Sequence, residues 1–441
     1  MQDEIMEIAE SLFPFDYSIA GDGNDLAITE LMKLLDFKIY SYPTGSRLNG
    51  WEIPQAWRLN RFQLFADGDL ILDEADHPFL VAKNSPSVDV ELNYQELVSK
   101  TNISLTGKNN DYVYDWRNLY SGFKEEWAIS LSKKILDELK KYSRFRVCIT
   151  SEFYDSKMHV LVFDTHPDAD RSIIVNAHNC HPFQANDDIS GIVAGILTAK
   201  EWQKRIDENL NVRLIIAPEL YGPIFFLDDQ YLNRDELCAI LFKAIGNDSG
   251  LKLQNSLNIE DTINQIIVKV CSEKEVDIST HPFRTLYGND EIVFENPPFR
   301  IPTVTFTRIP FLEYHSSSDN LEILNPNSIF EVVSIALASI EALSKNLSFV
   351  WKATGLPKLS FPGSKVYKPT PAHGVHRLGS SEIEKRWHIL MNSLPGLISQ
   401  GTTVLQLSKQ FDLPFFEVYD YLVEWEKLQF IIRSTDKDLS R

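Results

Sequence analysis

Apolar positions at the start of the chain recur every three to four places. Ile5, Ile8 and Leu12, then Leu31, Leu34 and Leu35, predict two short amphipathic helices over residues 3–36. From about 40 to 118 the texture changes: short β-rich runs such as RFQLF and DLILD are broken by Gly, Pro and Asn-Asp turns. Trp127, Leu131, Ile135 and Leu139 then repeat every four residues and predict a further helix. Beyond 143, strands and helices alternate. The runs RVCIT, HVLVFD, SIIVNAH, VRLIIAPE, LCAILFKAI and NQIIVKV are continuous and rich in β-branched residues, as strands buried on both faces are. After Asp188, the residues Ile189, Ile192, Val193, Ile196 and Leu197 match the i, i+3, i+4, i+7, i+8 helical template. A last helix near 326–344 is expected to pack on the sheet. The fold class is α/β: a mixed, mostly parallel sheet sandwiched by helices.

Residues 352–378 are rich in Pro, Gly, Lys and His and read as a linker. The rest gives three helices and the strand FII, the order of a helix-turn-helix followed by a wing. The organisation expected is a catalytic domain over 1–38 and 119–352, a β-rich insert over 39–118 bordering the cleft, a linker over 353–378 and a winged helix-turn-helix over 379–441.

Charge narrows the function. Among 441 residues, 43 Lys and Arg face 62 Asp and Glu, a net charge of −19, which repels phosphate backbones and argues against a general nucleic-acid binder. The C-terminal 61 residues carry seven bases against nine acids, and the would-be recognition helix, Phe415 to Glu426, has four acids and no base. A duplex reader needs Lys or Arg there, so this module reads as an interaction or dimerisation unit, a route to a homo-oligomer. The acidic start MQDEIMEIAESLFPF lacks the basic and apolar regions of a signal peptide, no run approaches the ~18 apolar residues of a membrane helix, and Cys148, Cys180, Cys238 and Cys271 are scattered. A cytoplasmic protein with reduced thiols and no membrane partner is expected.

Active sites of open α/β sheets lie beyond the carboxyl ends of the strands. SIIVNA is followed by His178-Asn179-Cys180-His181 and then by Asp187-Asp188, which open the clear helix; VRLIIAP is followed by Glu219. Further on come Gly288-Asn289-Asp290-Glu291 and Tyr314-His315-Ser316-Ser317-Ser318-Asp319-Asn320. Imidazoles and carboxylates delivered to one rim suit a divalent cation, most naturally zinc. Asp187 and Asp188 are both good helix N-caps; one is expected to cap while Asp187 faces the metal. The aromatics of the insert (Trp51, Trp57, Tyr112, Tyr114 and Trp116) read as local core rather than as a substrate platform.

The segments AHNCH, ANDDISG, PELYG, GNDE and YHSSSDN resemble, in order and placement, the motif series of zinc aminopeptidases with a co-catalytic metal pair. The whole chain is similar to a largely uncharacterised aminopeptidase-like family with a small β insert and a C-terminal winged helix. The resemblance implies that His178 and Asp290 hold one metal, Asp187 bridges, His315 serves the other side, and Glu219 is the general base. Three positions depart from the pattern. Cys180 stands where an Asp orients the ligand imidazole, which gives it a place beside the metal; Leu220 replaces the second of two Glu residues; and Asp188 replaces an Asn. Glu219 is then base or metal ligand, and the site takes one zinc or two.

The function expected is a zinc-dependent, aminopeptidase-like hydrolase that uses a metal-activated water on the amide bond of a small peptide or an amino-acyl or amino-sugar conjugate. The resemblance links such proteins to polysaccharide biosynthesis. The alternatives are a catalytically degenerate peptidase scaffold that binds or regulates through its winged helix, and an N-deacetylase using the same metal chemistry.

Overall fold

The computed structural model describes residues 2–104, 108–115, 126–205, 209–230, 235–369, 381–399 and 401–434. Trp116, the linker from 370 on and the last seven residues lie outside that set. By contact density the chain divides into two units, residues 1–261 with 278–334, and residues 262–277 with 335–441.

The first unit is organised by an eight-stranded mixed sheet in the order Lys38–Pro43, Lys157–Asp164, Asn211–Ala217, Arg171–His178, Asp235–Phe242, Thr303–Arg308, Leu251–Gln254 and Ser279–His281. Its four middle strands, from Asn211–Ala217 to Thr303–Arg308, are parallel. Their carboxyl ends therefore open on one rim. Every residue of Asn211–Ala217 is buried, as are all but the first of Arg171–His178, which is why these runs are apolar without alternation. The helix Ser190–Gln203 crosses over from the central strand and is buried along nearly its whole length. It approaches the sheet at Gly195, where a Cβ would stand 2.7 Å from Leu214 Cδ1. Among the described residues one helix, Pro326–Lys345, has the length and hydropathy of a membrane span, and 56% of its apolar window is buried inside the protein.

The β-rich insert does not end where the sequence pattern suggests. Its first strand, Lys38–Pro43, is the antiparallel edge of the main sheet. Conversely RVCIT, expected in the main sheet, belongs to Phe145–Tyr154, which pairs with Ala56–Ala66 and Val88–Leu92 in a separate four-stranded sheet completed by Asp69–Asp73. That strand alternates buried and exposed positions over most of its length, as a sheet with one covered face requires. The insert shares a core with the main sheet: Ile53, Phe79 and Tyr114 pack in the same cluster as Val160, Ile215 and Leu241.

Two further elements correct the periodicity. The expected helix through Trp127 and Leu131 is limited to Lys133–Leu139, preceded by the short strand Ile129–Ser130 and capped by Ser132 Oγ accepting from Ile135 N. NQIIVKV lies in a helix, Thr262–Glu273, whose buried residues include Ile263, Ile266, Ile267, Val270 and Cys271. That spacing is helical, and it prevails over the strand preference of the β-branched side chains.

In the second unit, that helix accompanies the helices Glu382–Ile398, Val404–Phe411 and Phe415–Lys427. Glu273 accepts from Phe415 N at 2.8 Å, and Lys409 donates to Gln265 at 2.7 Å. Ile431–Arg433 pairs antiparallel with Phe349–Trp351. Leu394, Leu407, Phe415, Val418, Leu422 and Trp425 are buried there.

Candidate metal centre

The four parallel strands converge on one buried cluster. Arg171–His178 ends in His178, with His181 three residues on; Asn211–Ala217 leads through Pro218 to Glu219; Asp235–Phe242 is followed directly by Lys243; the loop after Thr303–Arg308 carries His315. The segment Ala185–Ile189 between the central strand and its helix breaks from helical geometry at Asp187 and Asp188. This break separates their tasks. Asp188 accepts from Gly191 N and Ala244 N, both at 3.1 Å, tying the helix start to the neighbouring strand end. Asp187 turns to the imidazoles: its Oδ1 lies 3.1 Å from His178 Nε2, and its Oδ2 lies 3.2 Å from His315 Nε2 and 3.5 Å from His181 Nδ1. Asp319 holds the segment by accepting from Asn186 N at 2.6 Å and Asp187 N at 3.1 Å.

Glu219 and Cys180 stand beside these groups. Glu219 Oε2 is 3.9 Å from His181 Nε2, and Cys180 Sγ accepts from Glu219 N at 3.4 Å. Ligand atoms of His178, His181 and Asp187 lie within 4.8 Å of one another, and so do those of Cys180, His181 and Glu219.

Asp290, expected to complete the His178 side, directs both oxygens elsewhere. Oδ1 accepts from Leu220 N at 2.6 Å and Oδ2 from Asn176 Nδ2 at 2.7 Å. The preceding residue reaches His178 instead, with Asn289 Nδ2 3.4 Å from Nδ1. Lys243, which the sequence pattern leaves inside the apolar run LCAILFKAI, joins the cluster. Lys243 is 1% exposed, and its ammonium is 3.4 Å from Asp187 Oδ1 and 3.9 Å from Glu219 Oε1. The signal was present: a charge that ends an apolar strand, the feature that singled out Glu219.

Electrostatics sharpen the arrangement. Burial pushes the His178 and His315 imidazoles down to about 4, with the Lys243 ammonium adding to the effect. Both rings are then neutral at pH 7, the form that coordinates a metal. Burial acts to raise Asp187 and Glu219, but Lys243 and His181 outweigh it and hold both carboxyls low and ionised.

These residues fit a divalent cation. Asp187 Oδ2 is fully buried and makes no hydrogen bond, while two imidazole nitrogens crowd it. A buried carboxylate oxygen left so costs free energy unless a cation takes it.

The insert borders the cluster through residues 112–114. Tyr114 N donates to the His315 carbonyl at 2.9 Å, and Val113 bridges to Ser316. The Tyr114 ring meets His315 and His181 edge-on, at 5.5 and 5.9 Å between centroids. Of the other insert aromatics, Tyr112 stacks on His77, Trp57 donates to Ser85, and Trp51 meets Tyr221 edge-on.

Comparison with known proteins agrees with this architecture. A protein of Clostridium acetobutylicum, whose name assigns it to polysaccharide biosynthesis with an aminopeptidase-like domain, is 25% identical over 357 residues, 79% of each chain. A solved structure from the same organism, named as a peptidase, superposes with a TM-score of 0.79 at 20% identity over 98% of this chain and 96% of its own. The zinc aminopeptidase BSAP of Bacillus subtilis superposes with a TM-score of 0.55 at 16% identity over 78% of this chain and 94% of its own. The fold is thus that of the zinc aminopeptidases. The sequence profile described as a domain of unknown function, DUF4910, matches residues 6–346, and the chain belongs to that family.

Proposed function

We propose that this protein is a metal-dependent hydrolase of an amide bond in a small substrate, a peptide or an amino-acyl or amino-sugar conjugate. The observation that carries the reading is the convergence of the His181 and His315 imidazoles on the buried Asp187 Oδ2, with the ionised Glu219 alongside. His178, His181, His315 and Asp187 would hold the cation, most naturally zinc. A bound divalent ion lowers the pKa of water and polarises a carbonyl.

The chain's own residues do the rest. Glu219 accepts the proton of the attacking water and returns it to the departing nitrogen. Cys180 fixes the Glu219 backbone, and Asp319 fixes that of Asp187. The insert walls the site through Tyr114 and limits access, which favours short substrates. A role in polysaccharide biosynthesis, as in the name of the clostridial relative, would make the substrate an amino-sugar conjugate. The acidic helix Phe415–Lys427 supports a protein-interaction role for the C-terminal module over duplex reading.

The test is a screen of aminoacyl and acetyl amides of amino sugars, run on wild type and Glu219→Gln with metal content measured in both. Turnover lost by at least a hundredfold with the metal retained is expected of a general base. A Glu219→Gln variant with its metal and full turnover would remove Glu219 from the mechanism, and no hydrolysis of any amide by the metal-loaded wild type would overturn the hydrolase reading.

A further inference from the structure

We propose that Lys243 supplies a fixed positive charge in place of a second metal ion, so that the centre holds one divalent cation per chain. The inference rests on the metal-dependent reading above and narrows it.

Asp187 divides its two oxygens. Oδ2 faces His181 and His315, whereas Oδ1 faces the Lys243 ammonium at 3.4 Å as well as His178. On its other side the ammonium is 3.9 Å from Glu219 Oε1. Lys243 thus spans Asp187, which two cations would have to share, and Glu219. It is anchored there: it directly follows the strand Asp235–Phe242, its N–H donates to the Phe306 carbonyl at 3.0 Å, and its Nζ stands 5.5 Å from the Tyr287 ring centroid.

Charge balance points the same way. The other buried carboxylates nearby are engaged by N–H donors: Asp188 by Gly191 and Ala244, Asp319 by Asn186 and Asp187, Asp290 by Leu220 and Asn176. Asp187 and Glu219 remain to face the centre, and Lys243 offsets one of their two charges. One divalent ion then leaves a single positive charge, which a water-derived anion or a developing oxyanion neutralises. Two divalent ions beside a buried ammonium would leave three positive charges in a buried pocket, and an ion on Asp187 Oδ1 would meet the ammonium at close range.

The experiment is zinc stoichiometry by elemental analysis and calorimetric titration on the full-length protein, with cobalt(II) electron paramagnetic resonance as a second readout. Wild type is expected to hold one ion per chain and to show the signal of an isolated cobalt. Lys243→Asp replaces the cation with a ligand, and is expected to raise the count to two and to couple the two cobalt spins. Lys243→Arg, which keeps the charge, is expected to stay at one. Should Lys243→Asp fail to fold, the wild-type count still decides whether the centre holds one ion or two. Two ions in wild type would overturn the inference and leave the hydrolase reading standing. One ion in both wild type and a folded Lys243→Asp would remove Lys243 as the cause. No ion in wild type, at any zinc concentration tested, would overturn both.

Discussion

Replacing Asp290 with Asn should stabilise the protein, and by an amount that grows with pH. Asp290 is fully buried. Two donors ordinarily hold a carboxyl low, yet burial and the nearby Glu219 charge outweigh them and lift Asp290 from its ordinary 3.8 to about 7. The folded state therefore keeps a proton that the unfolded chain has lost between pH 3.8 and about 7. Stability falls as pH rises through that window and levels off above it. Three pH units correspond to about 4 kcal/mol in total, of which about 2–3 kcal/mol falls between pH 5 and 8. Asn has the same shape and no charge to bury. Its oxygen keeps the Leu220 N–H, and its amide can donate to Asn176 Oδ1, which makes no hydrogen bond in the wild type, once the Asn176 amide turns over. Urea unfolding of both proteins from pH 5 to 8 should show a gap that widens by that amount, with metal content unchanged. A gap that stays flat would refute the linkage. Loss of the metal in Asp290→Asn would restore Asp290 as a ligand and refute the geometry.

Other perturbations test the frame around the centre. Asp319→Ala leaves Asn186 N and Asp187 N without their buried acceptor, so it should cost about 2–5 kcal/mol in urea unfolding and weaken zinc binding in a competitive chelator titration; unchanged affinity would show that Asp187 is held by other means. Gly222→Ala places a methyl 2.3 Å from Ala217 Cβ, under the strand that delivers Glu219, and should lose about 1–3 kcal/mol; a neutral result would mean the helix Tyr221–Asp229 shifts freely. Zinc present at a hundredfold over its Kd should add about 2.7 kcal/mol of stability relative to chelated protein, read as a calorimetric shift in Tm, and His315→Ala should reduce that increment. A Tm indifferent to chelator would speak against a bound ion.

The rule that strand ends deliver chemistry made most of the candidate cluster legible in the sequence. His178, Glu219 and His315 could be found because each ends or follows an apolar run, and the helix after Asp188 because its period is unambiguous. Three readings went astray for separate physical reasons. NQIIVKV has the composition of a strand and the spacing of a helix, and the spacing decided, since a helix must bury one face. RVCIT has the texture of a central strand, but pairing depends on partners far along the chain that no local pattern reveals. Lys243 lies inside LCAILFKAI, and a lysine in an apolar run passes as a strand residue with its head in water. Here the head is buried among carboxylates.

Asp290 teaches something different, because sequence alone does not rank carboxylates that arrive at the same rim. What ranks them in the folded protein is the supply of N–H donors. Asp188, Asp319 and Asp290 each accept two well-formed hydrogen bonds, five of the six from backbone N–H groups, and so hold the segments that follow the strand ends. Asp187 Oδ1 faces His178 Nε2 at 3.1 Å and the Lys243 ammonium at 3.4 Å, and its second oxygen has imidazoles around it but no hydrogen bond. Glu219 is reached only at ion-pair distance, by His181 and Lys243. A carboxylate saturated by donors is part of the scaffold, and one left facing imidazoles and an ammonium is available for chemistry. By that criterion the groups left available in the proposed centre are Asp187 and Glu219. The three other carboxylates place them, and Lys243 is the cation the fold itself provides.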